Sequence, residues 1–318
     1  MTQVRFGEFA SELRENETAL DALLRSGAPV SYSCKAGSCG SCMLRAVEGE
    51  VPAAAQSGLK DSWKARGYFL ACVCRPETDL VAAPVDADAQ VPATIATLDS
   101  LSHDVVRLRL RCDQPFEFRS GQYITMVRHD GLARSYSIAS LPDEDHLELH
   151  VRCLPNGQMS EWVREQARAG DPVRVLGPSG DCFYVPGKPE QPLLLVGTGT
   201  GLAPLYGILR DALAHGHTGP IHLFHGAVRE AGLYLRDELA RLADENPNVH
   251  YNPTLLEVDG PVDQVVLKSF PKLNGFRAFL CGDPAIVQGL RKKLFLGGMD
   301  FKDIYADAFL PAAASAVI

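Results

Sequence analysis

The sequence contains no long apolar run and no excess of basic residues. None of its apolar stretches approaches the roughly 18 residues that a membrane-spanning helix needs, and its first ten residues lack the basic stretch and apolar core of a signal peptide. Acidic residues outnumber basic ones by 39 to 31, and the net charge of -8 argues against binding to nucleic-acid phosphates. We therefore expect a soluble, cytoplasmic protein that binds neither membranes nor nucleic acids.

Internal repeats and low-complexity segments are also missing. A length of 318 residues with 46% hydrophobic and 22% charged residues is typical of two or three globular domains. A short acidic segment bounded by prolines, residues 84–92, predicts a linker, and a Pro-Gly-Lys-Pro break follows at residues 186–189. These breaks predict domains at residues 1–88, 92–187 and 188–318.

Each predicted domain has its own pattern. The first begins with an amphipathic helix at residues 19–26 and continues into a loop rich in Gly and Cys. In the second, apolar and polar residues alternate as in antiparallel strands, which predicts a small barrel. The third alternates strands with helices, which predicts a parallel α/β sheet. The strands expected in the last two domains are 105–111, 123–127, 147–152, 193–196, 221–224 and 276–280, and the helices are 161–169, 202–213 and 231–243.

Nine cysteines are an odd number for a disulfide framework, but four of them are clustered. Cys34, Cys39 and Cys42 have the spacing C-x4-C-x2-C, and Cys72 follows after 29 intervening residues. This is the spacing of plant-type [2Fe-2S] proteins, in which four thiolates bind two irons. Gly37 and Gly40 allow a tight loop with its N–H groups turned inward.

Two alternatives concern these cysteines. A zinc site is the first, although zinc ligands usually come as two closely spaced pairs. The second concerns the fourth ligand, because Cys74 lies two residues after Cys72 and would share its face on a strand. The spacing favours Cys72. The isolated Cys112, Cys153 and Cys182 are expected to be buried structural thiols.

Three short motifs in the middle segment suggest a flavin. Arg134-Ser-Tyr-Ser137 provides a cation for a phosphate, an aromatic face for a flat ring and a nearby hydroxyl. Leu149-His-Val-Arg152 and Gly157-Gln-Met-Ser160 follow, the latter just ahead of a predicted helix.

Two further turns suggest a nicotinamide nucleotide. Gly197-Thr-Gly-Thr-Gly201 lies between a buried strand and a helix, where a Gly-rich turn can hold a pyrophosphate. A tight turn that serves only packing is the alternative for these glycines. Because residue 202 is Leu, the strict G-x-G-x-x-G fingerprint is not met. Cys281-Gly-Asp-Pro284 is a second turn at the same expected sheet edge, where open α/β sheets bind their ligands.

Taken in order, these motifs, with Gly177-Pro-Ser-Gly180 and Asp307-Ala-Phe309, resemble the ferredoxin-NADP reductase superfamily. The likeness extends over residues 4–309 and is to oxygenase reductases with an N-terminal plant-type ferredoxin domain. It implies a β-grasp ferredoxin domain, an antiparallel FAD-binding β-barrel and a parallel nicotinamide-binding α/β domain, an α+β and α/β multidomain chain. Family members often have Gly where this chain has Thr198, which is tolerated if its backbone is not left-handed.

The resemblance also implies roles for individual residues. Arg134 would hold the FAD pyrophosphate, Tyr136 would stack on the isoalloxazine with Phe309 on its other face, and Ser137 would approach flavin N5. Cys281 and Asp307 would shape the nicotinamide pocket beside Ser137, so the expected catalytic set is Ser137, Cys281, Asp307 and Phe309. The residues expected to bind FAD or nicotinamide are Arg134, Ser135, Tyr136, Ser137, His150, Val151, Arg152, Gly157, Met159, Ser160, Gly197, Thr198, Gly199, Thr200, Gly201, Cys281, Asp283 and Phe309.

The expected reaction passes hydride from NADH to FAD and then single electrons through a [2Fe-2S] cluster to a protein. The expected acceptor is a Rieske ferredoxin or a terminal oxygenase, and the chain is expected to be a monomer. NADPH is the less favoured donor, because Glu230 in the turn after the strand at 221–224 would repel a 2'-phosphate near the ribose. The adjacent Arg229 would act in the opposite direction. The alternatives are a reductase of a diiron monooxygenase, a reductase of a deoxysugar dehydratase system and a redox-sensing iron-sulfur flavoprotein.

Overall fold

A computed structural model describes residues 2–310. The N-terminal part is a five-stranded mixed sheet with the order β2-β1-β5-β3-β4. Its strands are β1 (Gln3–Phe6), β2 (Phe9–Glu12), β3 (Met43–Glu48), β4 (Tyr68–Leu70) and β5 (Leu80–Ala83), and its helices are α1 (Ala19–Arg25) and α2 (Asp61–Ala65). Strand β1 runs parallel to β5 and antiparallel to β2, in agreement with the β-grasp prediction.

Helix α1 confirms the amphipathic pattern in this region. Thr18 caps its N-terminus by accepting a hydrogen bond from the backbone of Asp21. Leu20 and Leu23 are fully buried against the sheet, at the i and i+3 positions of one helix face.

The acidic segment at residues 84–92 is held against the N-terminal sheet. Asp86 accepts a hydrogen bond from the Tyr68 hydroxyl at 2.8 Å, and Arg66 bridges Asp86 and Asp88 at 3.1 and 2.8 Å. A single 3-10 turn, Ala87–Ala89, lies inside the segment, and the next strand begins at Val91. The segment is therefore ordered by ion pairs, which its composition did not predict.

The middle part is a six-stranded antiparallel barrel. Its strands are β6 (Val91–Ser100), β7 (Val105–Cys112), β8 (Tyr123–Val127), β9 (Ala133–Ser137), β10 (Leu147–Arg152) and β11 (Pro172–Ser179), in the order β10-β7-β6-β11-β8-β9. A bridge between Ile138 and Leu149 joins the two end strands and closes the barrel. Alternate residues such as Leu108, Leu110 and Ile124 fill its interior.

The helix after β10 differs from the prediction of residues 161–169. Helix α3 (Gln158–Glu161) begins directly after Gly157 and continues as a π-helical turn, Trp162–Gln166. Trp162 and Val163 are buried in the barrel core. The apolar positions therefore fit a helix that starts earlier than predicted and has more residues per turn, as in a π-helix, at its C-terminal end.

The C-terminal part is a five-stranded parallel sheet with the order β14-β13-β12-β15-β16. Its elements are β12 (Leu193–Thr198), α4 (Leu202–Ala214), β13 (Ile221–Ala227), α5 (Arg236–Glu245), β14 (Val249–Leu255), α6 (Leu256–Asp259), α7 (Val262–Ser269), β15 (Arg277–Gly282), α8 (Pro284–Leu296) and β16 (Ile304–Ala308). The sheet confirms the predicted α/β architecture.

Helix α5 was predicted at residues 231–243 but begins only at Arg236. Residues 230–232 form a separate 3-10 turn, and Leu235 adopts a left-handed backbone with φ of 56°. Tyr234 is 2% exposed and packs into the core, so this stretch is fixed by tertiary contacts and not by helical periodicity.

The three parts pack against each other. Val105, Ala139 and Tyr184 of the barrel region share a core with the C-terminal sheet, and Leu176 packs into the N-terminal core. No helix within residues 2–310 is long and apolar enough to cross a membrane.

Candidate active site

A cleft of about 1850 Å3 lies where the three parts of the chain meet. The N-terminal part contributes residues of its cysteine loop, the barrel contributes β8, β9 and β10, and the C-terminal sheet contributes the carboxyl ends of its strands. Among the predicted site residues, those that line the cleft are Cys34, Cys39, Arg134, Ser135, Tyr136, Ser137, His150, Arg152, Gly157, Met159, Ser160, Thr198, Gly199, Thr200, Asp283, Asp307 and Phe309.

Arg134 brings a positive charge to this cleft. Its guanidinium donates a hydrogen bond to the carbonyl of Ala133 at 2.7 Å, and burial lowers its pKa. No carboxylate within residues 2–310 forms an ion pair with it. A partly buried cation without a protein counter-ion fits a phosphate group of a ligand. Tyr136, two residues further on β9, places an aromatic ring in the same cleft.

Ser137 joins the barrel to the C-terminal sheet. Its hydroxyl donates a hydrogen bond to the Asp307 carboxylate at 3.3 Å. Burial raises the pKa of Asp307 to about 6, and the bond from Ser137 partly opposes the shift. Cys281 is the register partner of Asp307 on neighbouring strands. The structure thus brings these three predicted residues together, with Ser137 and Asp307 lining the cleft and Cys281 beside Asp307 on the neighbouring strand.

The thiol of Cys281 is buried and does not line the cleft. It lies 3.6 Å from the thiol of Cys182, which belongs to the barrel region. Phe309 follows β16, and its N–H donates to the Gly282 carbonyl at 2.8 Å. This bond fixes the backbone of Phe309, which lines the cleft.

The Gly-rich turn after β12 has the backbone that a nucleotide-binding turn requires. Thr198 is extended, with φ of -122°, so the side chain that replaces a Gly of the family causes no strain there. Gly199 is left-handed, with φ of +54°. The Thr198 hydroxyl accepts a hydrogen bond from the Asp283 N–H at 2.9 Å, which ties the two predicted turns together.

Two glycines of this turn contribute by their small size. A Cβ on Gly201 would lie 2.2 Å from the Cys281 carbonyl, and one on Gly197 would lie 2.7 Å from Leu205. Neither glycine lines the cleft. They allow the turn to approach β15 and α4 closely, which is a packing role.

The predicted residues of β10 differ in whether they line the cleft. Val151 is buried in the barrel core and does not line the cleft. His150 is buried and bonded to Glu148 and to the Tyr234 hydroxyl, each at 3.1 Å. Arg152 pairs with Asp104 at 3.1 Å, and its guanidinium lies 3.6 Å from a Cβ built on Gly199.

Gly157 and Ser160 shape the loop ahead of α3. The Ser160 hydroxyl donates to the Gly157 carbonyl at 3.1 Å and accepts from the Leu154 N–H at 3.2 Å. A Cβ on Gly157 would lie 2.4 Å from that hydroxyl. The Met159 side chain is 2% exposed and packs into the barrel core. Ser160 is therefore occupied by the loop itself, which the motif alone did not indicate.

The four clustered cysteines form two pairs. The thiols of Cys34 and Cys39 are close enough to affect each other's pKa, and so are those of Cys42 and Cys72. Within residues 2–310 no three Cys, His, Asp or Glu side chains converge on a single metal position. Two pairs of thiolates fit two irons better than one zinc ion.

Cys74 stands apart from the four. It is fully buried among apolar side chains of the N-terminal core, and burial raises the pKa of its thiol to about 12. The neighbouring Cys72 instead contacts Cys42. This geometry supports Cys72 over Cys74 as the fourth ligand.

Sequence reasoning missed several residues near the site. Tyr123 and Thr125 on β8 donate hydrogen bonds to the backbone of the cysteine loop. Glu257 was also missed, and it pairs at 2.7 Å with Arg229, a cleft residue that the sequence already indicated in the turn near the ribose. The alternation of β8 predicted a common face for Tyr123 and Thr125, but strand periodicity does not identify what that face contacts.

Three family models match successive parts of the chain. Residues 8–77 match the 2Fe-2S iron-sulfur cluster binding domain, residues 92–184 the oxidoreductase FAD-binding domain and residues 195–292 the oxidoreductase NAD-binding domain. The fold and the cleft therefore define a flavin- and iron-sulfur-dependent oxidoreductase that uses a nicotinamide nucleotide.

Similar proteins indicate which kind of oxidoreductase this is. The chain is 36% identical over 311 residues to the ferredoxin--NAD(P)(+) reductase component of the naphthalene 1,2-dioxygenase system of Pseudomonas putida, covering 92% of this chain and 93% of the relative. It is 32% identical to the phenol hydroxylase P5 protein of Acinetobacter pittii, with 96% and 93% covered. The crystal structure of the Amycolatopsis cytochrome P450 reductase GcoB superposes with a TM-score of 0.70 at 32% identity, covering 98% of this chain and all of that one.

The chain belongs to the ferredoxin reductase family, as an oxygenase-type reductase with an N-terminal [2Fe-2S] domain. Its cofactors are FAD and a [2Fe-2S] cluster, and electrons pass from the nicotinamide through FAD to the cluster.

Proposed function

We propose that the chain is the NADH-dependent reductase component of a Rieske-type, aromatic-ring-hydroxylating oxygenase. The observation that carries the proposal is the 36% identity with the naphthalene 1,2-dioxygenase reductase component over nearly the full length of both chains. Because the likeness spans all three parts, the whole path from nicotinamide to cluster is shared with that relative.

Within the barrel, we assign the flavin site to β9 and its neighbours. Arg134 would bind the FAD pyrophosphate, Tyr136 would pack on one face of the ring and Phe309 on the other. FAD, when bound, accepts a hydride and releases the two electrons one at a time. The residues hold the ring and exclude water from it, and Ser137 is positioned by Asp307 beside the nicotinamide end of the cleft.

The nicotinamide nucleotide is assigned to the carboxyl ends of β12 and β15. The left-handed Gly199 and the bond between Thr198 and Asp283 shape a turn for the pyrophosphate. Ionised Asp307 would place a negative charge near the nicotinamide ring, where positive charge develops as hydride leaves. Cys281 would lie beside Asp307 on the neighbouring strand and help to position it.

The cluster is assigned to Cys34, Cys39, Cys42 and Cys72. The reduction potential of a plant-type cluster is about -400 mV, roughly 250 mV below that of a Rieske centre at about -150 mV. At about 59 mV per decade for one electron, this gap favours transfer to the Rieske centre by about four decades in the equilibrium constant. A Rieske ferredoxin or a Rieske oxygenase is therefore a thermodynamically suitable acceptor.

A diiron monooxygenase is the second candidate acceptor. A multicomponent hydroxylase other than a dioxygenase is kept as a candidate because the chain is also 32% identical to the phenol hydroxylase P5 protein over nearly the full length of both chains. The assay that separates the two presents the reduced protein with a purified Rieske ferredoxin and with a purified diiron hydroxylase at equal concentration. Faster NADH-driven reduction of the Rieske ferredoxin supports our proposal, and faster reduction of the diiron protein overturns it.

We further propose that the protein acts as a monomer in the cytoplasm. The cytoplasmic location is supported by the four clustered cysteines, because thiolate ligands persist in a reducing compartment. Sedimentation equilibrium of the holoprotein at micromolar concentration tests the first point, and a single species near the chain mass of 34.4 kDa is expected. Cell fractionation tests the second.

A further inference from the structure

The cluster loop, residues 34–42, is fastened to the barrel by three hydroxyl groups. The Tyr123 hydroxyl donates to the Ser38 carbonyl at 2.5 Å, and the Thr125 hydroxyl donates to the Cys39 carbonyl at 3.1 Å. The Ser135 hydroxyl donates to the same Cys39 carbonyl. A carbonyl oxygen has two lone pairs and can accept both bonds.

Strand geometry places these hydroxyls together. Tyr123 and Thr125 are alternate residues of β8, so their side chains share one face of the sheet. Ser135 on β9 is the register partner of Thr125, and their hydroxyl oxygens lie 3.1 Å apart. Thr125 is only 5% exposed, so its bond to Cys39 is shielded from water.

The loop is shaped for this close approach. Gly40 has a left-handed φ of +76°, and a Cβ added to it would lie 3.2 Å from the Thr125 hydroxyl. Nearby, the Ala133 N–H donates to the Ser31 hydroxyl at 2.9 Å. The N-terminal part is thus attached to the start of β9, the strand that also carries Arg134 and Tyr136.

We propose that Tyr123, Thr125 and Ser135 form a hydroxyl clamp that positions the cluster for electron transfer from the flavin. The inference rests on the proposed assignment of Cys39 as a cluster ligand and of β9 as the flavin strand. The three hydroxyls of the clamp donate hydrogen bonds to backbone carbonyls, so the cysteine thiols stay available to bind iron. It connects a cluster ligand to the flavin strand by one hydrogen bond, so these three are positioning residues that act through the loop.

Arg134 and Tyr136 lie on one face of β9 and are assigned to the flavin. Ser135 lies between them on the other face and contacts the cluster loop. The Ser135 side chain was expected at the cofactor, whereas the structure directs its hydroxyl to the cluster loop. A strand that holds both the flavin and the loop keeps the separation of the two redox groups constant. Losing the clamp should therefore slow transfer between them without slowing hydride transfer.

The test uses the holoprotein with the double substitution Tyr123→Phe and Thr125→Val, which removes two hydroxyls at nearly constant volume. Each lost hydrogen bond lowers the ratio of docked to undocked loop by about 2- to 10-fold. We expect flavin reduction by NADH in stopped flow to match the wild type, and cluster bleaching to slow at least about fivefold. Small-angle scattering of the oxidised protein should show a larger radius of gyration, a readout that does not depend on turnover.

Two further variants make the result specific. Thr97→Val is the matched control, because Thr97 is an exposed residue of β6 whose hydroxyl donates to Asp99 and not to the cluster loop, and it should behave as wild type. Tyr123→Phe with Thr125→Ser restores one hydroxyl and should recover part of the lost rate. Unchanged cluster bleaching and scattering in the Phe/Val variant, or no recovery with Ser, would overturn the clamp. A wild-type cluster that NADH never bleaches would instead overturn the proposed function.

Discussion

The hydroxyl of Ser137 donates a hydrogen bond to the carboxylate of Asp307 at 3.3 Å, across the boundary between the barrel and the C-terminal sheet. Ser137 is 6% exposed, and Asp307 lies at the carboxyl end of the last strand in that sheet. The bond connects the strand assigned to the flavin with the sheet assigned to the nicotinamide. Its strength and the charge of Asp307 should therefore affect hydride transfer.

Hydride transfer should depend on pH through Asp307. Burial raises the pKa of Asp307 to about 6, so the carboxyl is neutral below that pH and ionised above it. Because the ionised form favours positive charge on the nicotinamide, the rate of flavin reduction should fall as pH drops through 6. Asp307→Asn should remove this step and lower the rate at pH 8 by about tenfold. Ser137→Ala should move the step to higher pH, since the Ser137 bond lowers the pKa. A step that persists in Asp307→Asn would exclude Asp307 as its source.

The ionisation of Asp307 should also change the stability of the fold with pH. A pKa raised from 3.8 to about 6 means that the folded state disfavours the ionised form. The penalty is absent below pH 3.8, grows between pH 3.8 and 6, and is complete above pH 6, where two pKa units correspond to at most about 3 kcal/mol. Asp307→Asn should therefore raise the Tm at pH 8 and leave it unchanged near pH 4. Scanning calorimetry of the holoprotein at both pH values measures this, and an equal rise at both would point to packing instead of charge.

The choice between NADH and NADPH should depend on Glu257. We predict that NADH is preferred, although the structure changes the reason. Glu230 is paired with Arg236, whereas Arg229 lines the cleft and is neutralised by Glu257. Glu257→Gln would free Arg229 for a 2'-phosphate and should raise kcat/KM for NADPH about tenfold, the order of one charge-assisted hydrogen bond.

Glu230→Gln is the matched control for this substitution, since its carboxylate does not line the cleft, and it should leave both donors unaffected. Titration with 2'-phospho-AMP measures the same effect without turnover. A wild-type kcat/KM for NADPH equal to or above that for NADH would reverse the predicted preference.

Phe309 should compete with the nicotinamide for space at the flavin. The residue lines the cleft directly after β16 and is held there through its backbone bond to Gly282. Aromatic stacking contributes roughly 0.5 to 1.5 kcal/mol beyond area burial, so Phe309→Ala should change the KM for NADH severalfold while FAD stays bound. Steady-state kinetics and flavin absorbance measure both. Phe301→Ala, at a 54% exposed ring outside the cleft, is the control, and wild-type kinetics in Phe309→Ala would remove this residue from the site.

The cluster, the antiparallel barrel and the parallel α/β sheet could be predicted from the sequence because their signals are local, whereas the β-grasp fold and FAD followed from the family resemblance. Cysteine spacing and strand alternation each occupy a few tens of residues and depend little on distant contacts. The contacts of Ser135 could not be predicted, since alternation gives the face of a side chain and not its neighbour across a domain boundary. The late start of α5 was hidden for a related reason, because the burial of Tyr234 overrides the helical pattern of its segment.

The last prediction separates the two halves of the electron path, because ferricyanide takes electrons directly from the flavin while a one-electron protein acceptor depends on the cluster. Cys39→Ser should remove an iron ligand and the cluster with it. The barrel and the C-terminal sheet each have their own core, so NADH-ferricyanide activity should persist while cytochrome c reduction falls steeply. Cys72→Ser should bleach the visible iron-sulfur absorbance in the same way, whereas Cys74→Ser should leave it, since Cys74 packs among apolar side chains. Full cytochrome c reduction by a cluster-free Cys39→Ser protein would show that electrons leave from the flavin, and the order of the relay would be wrong.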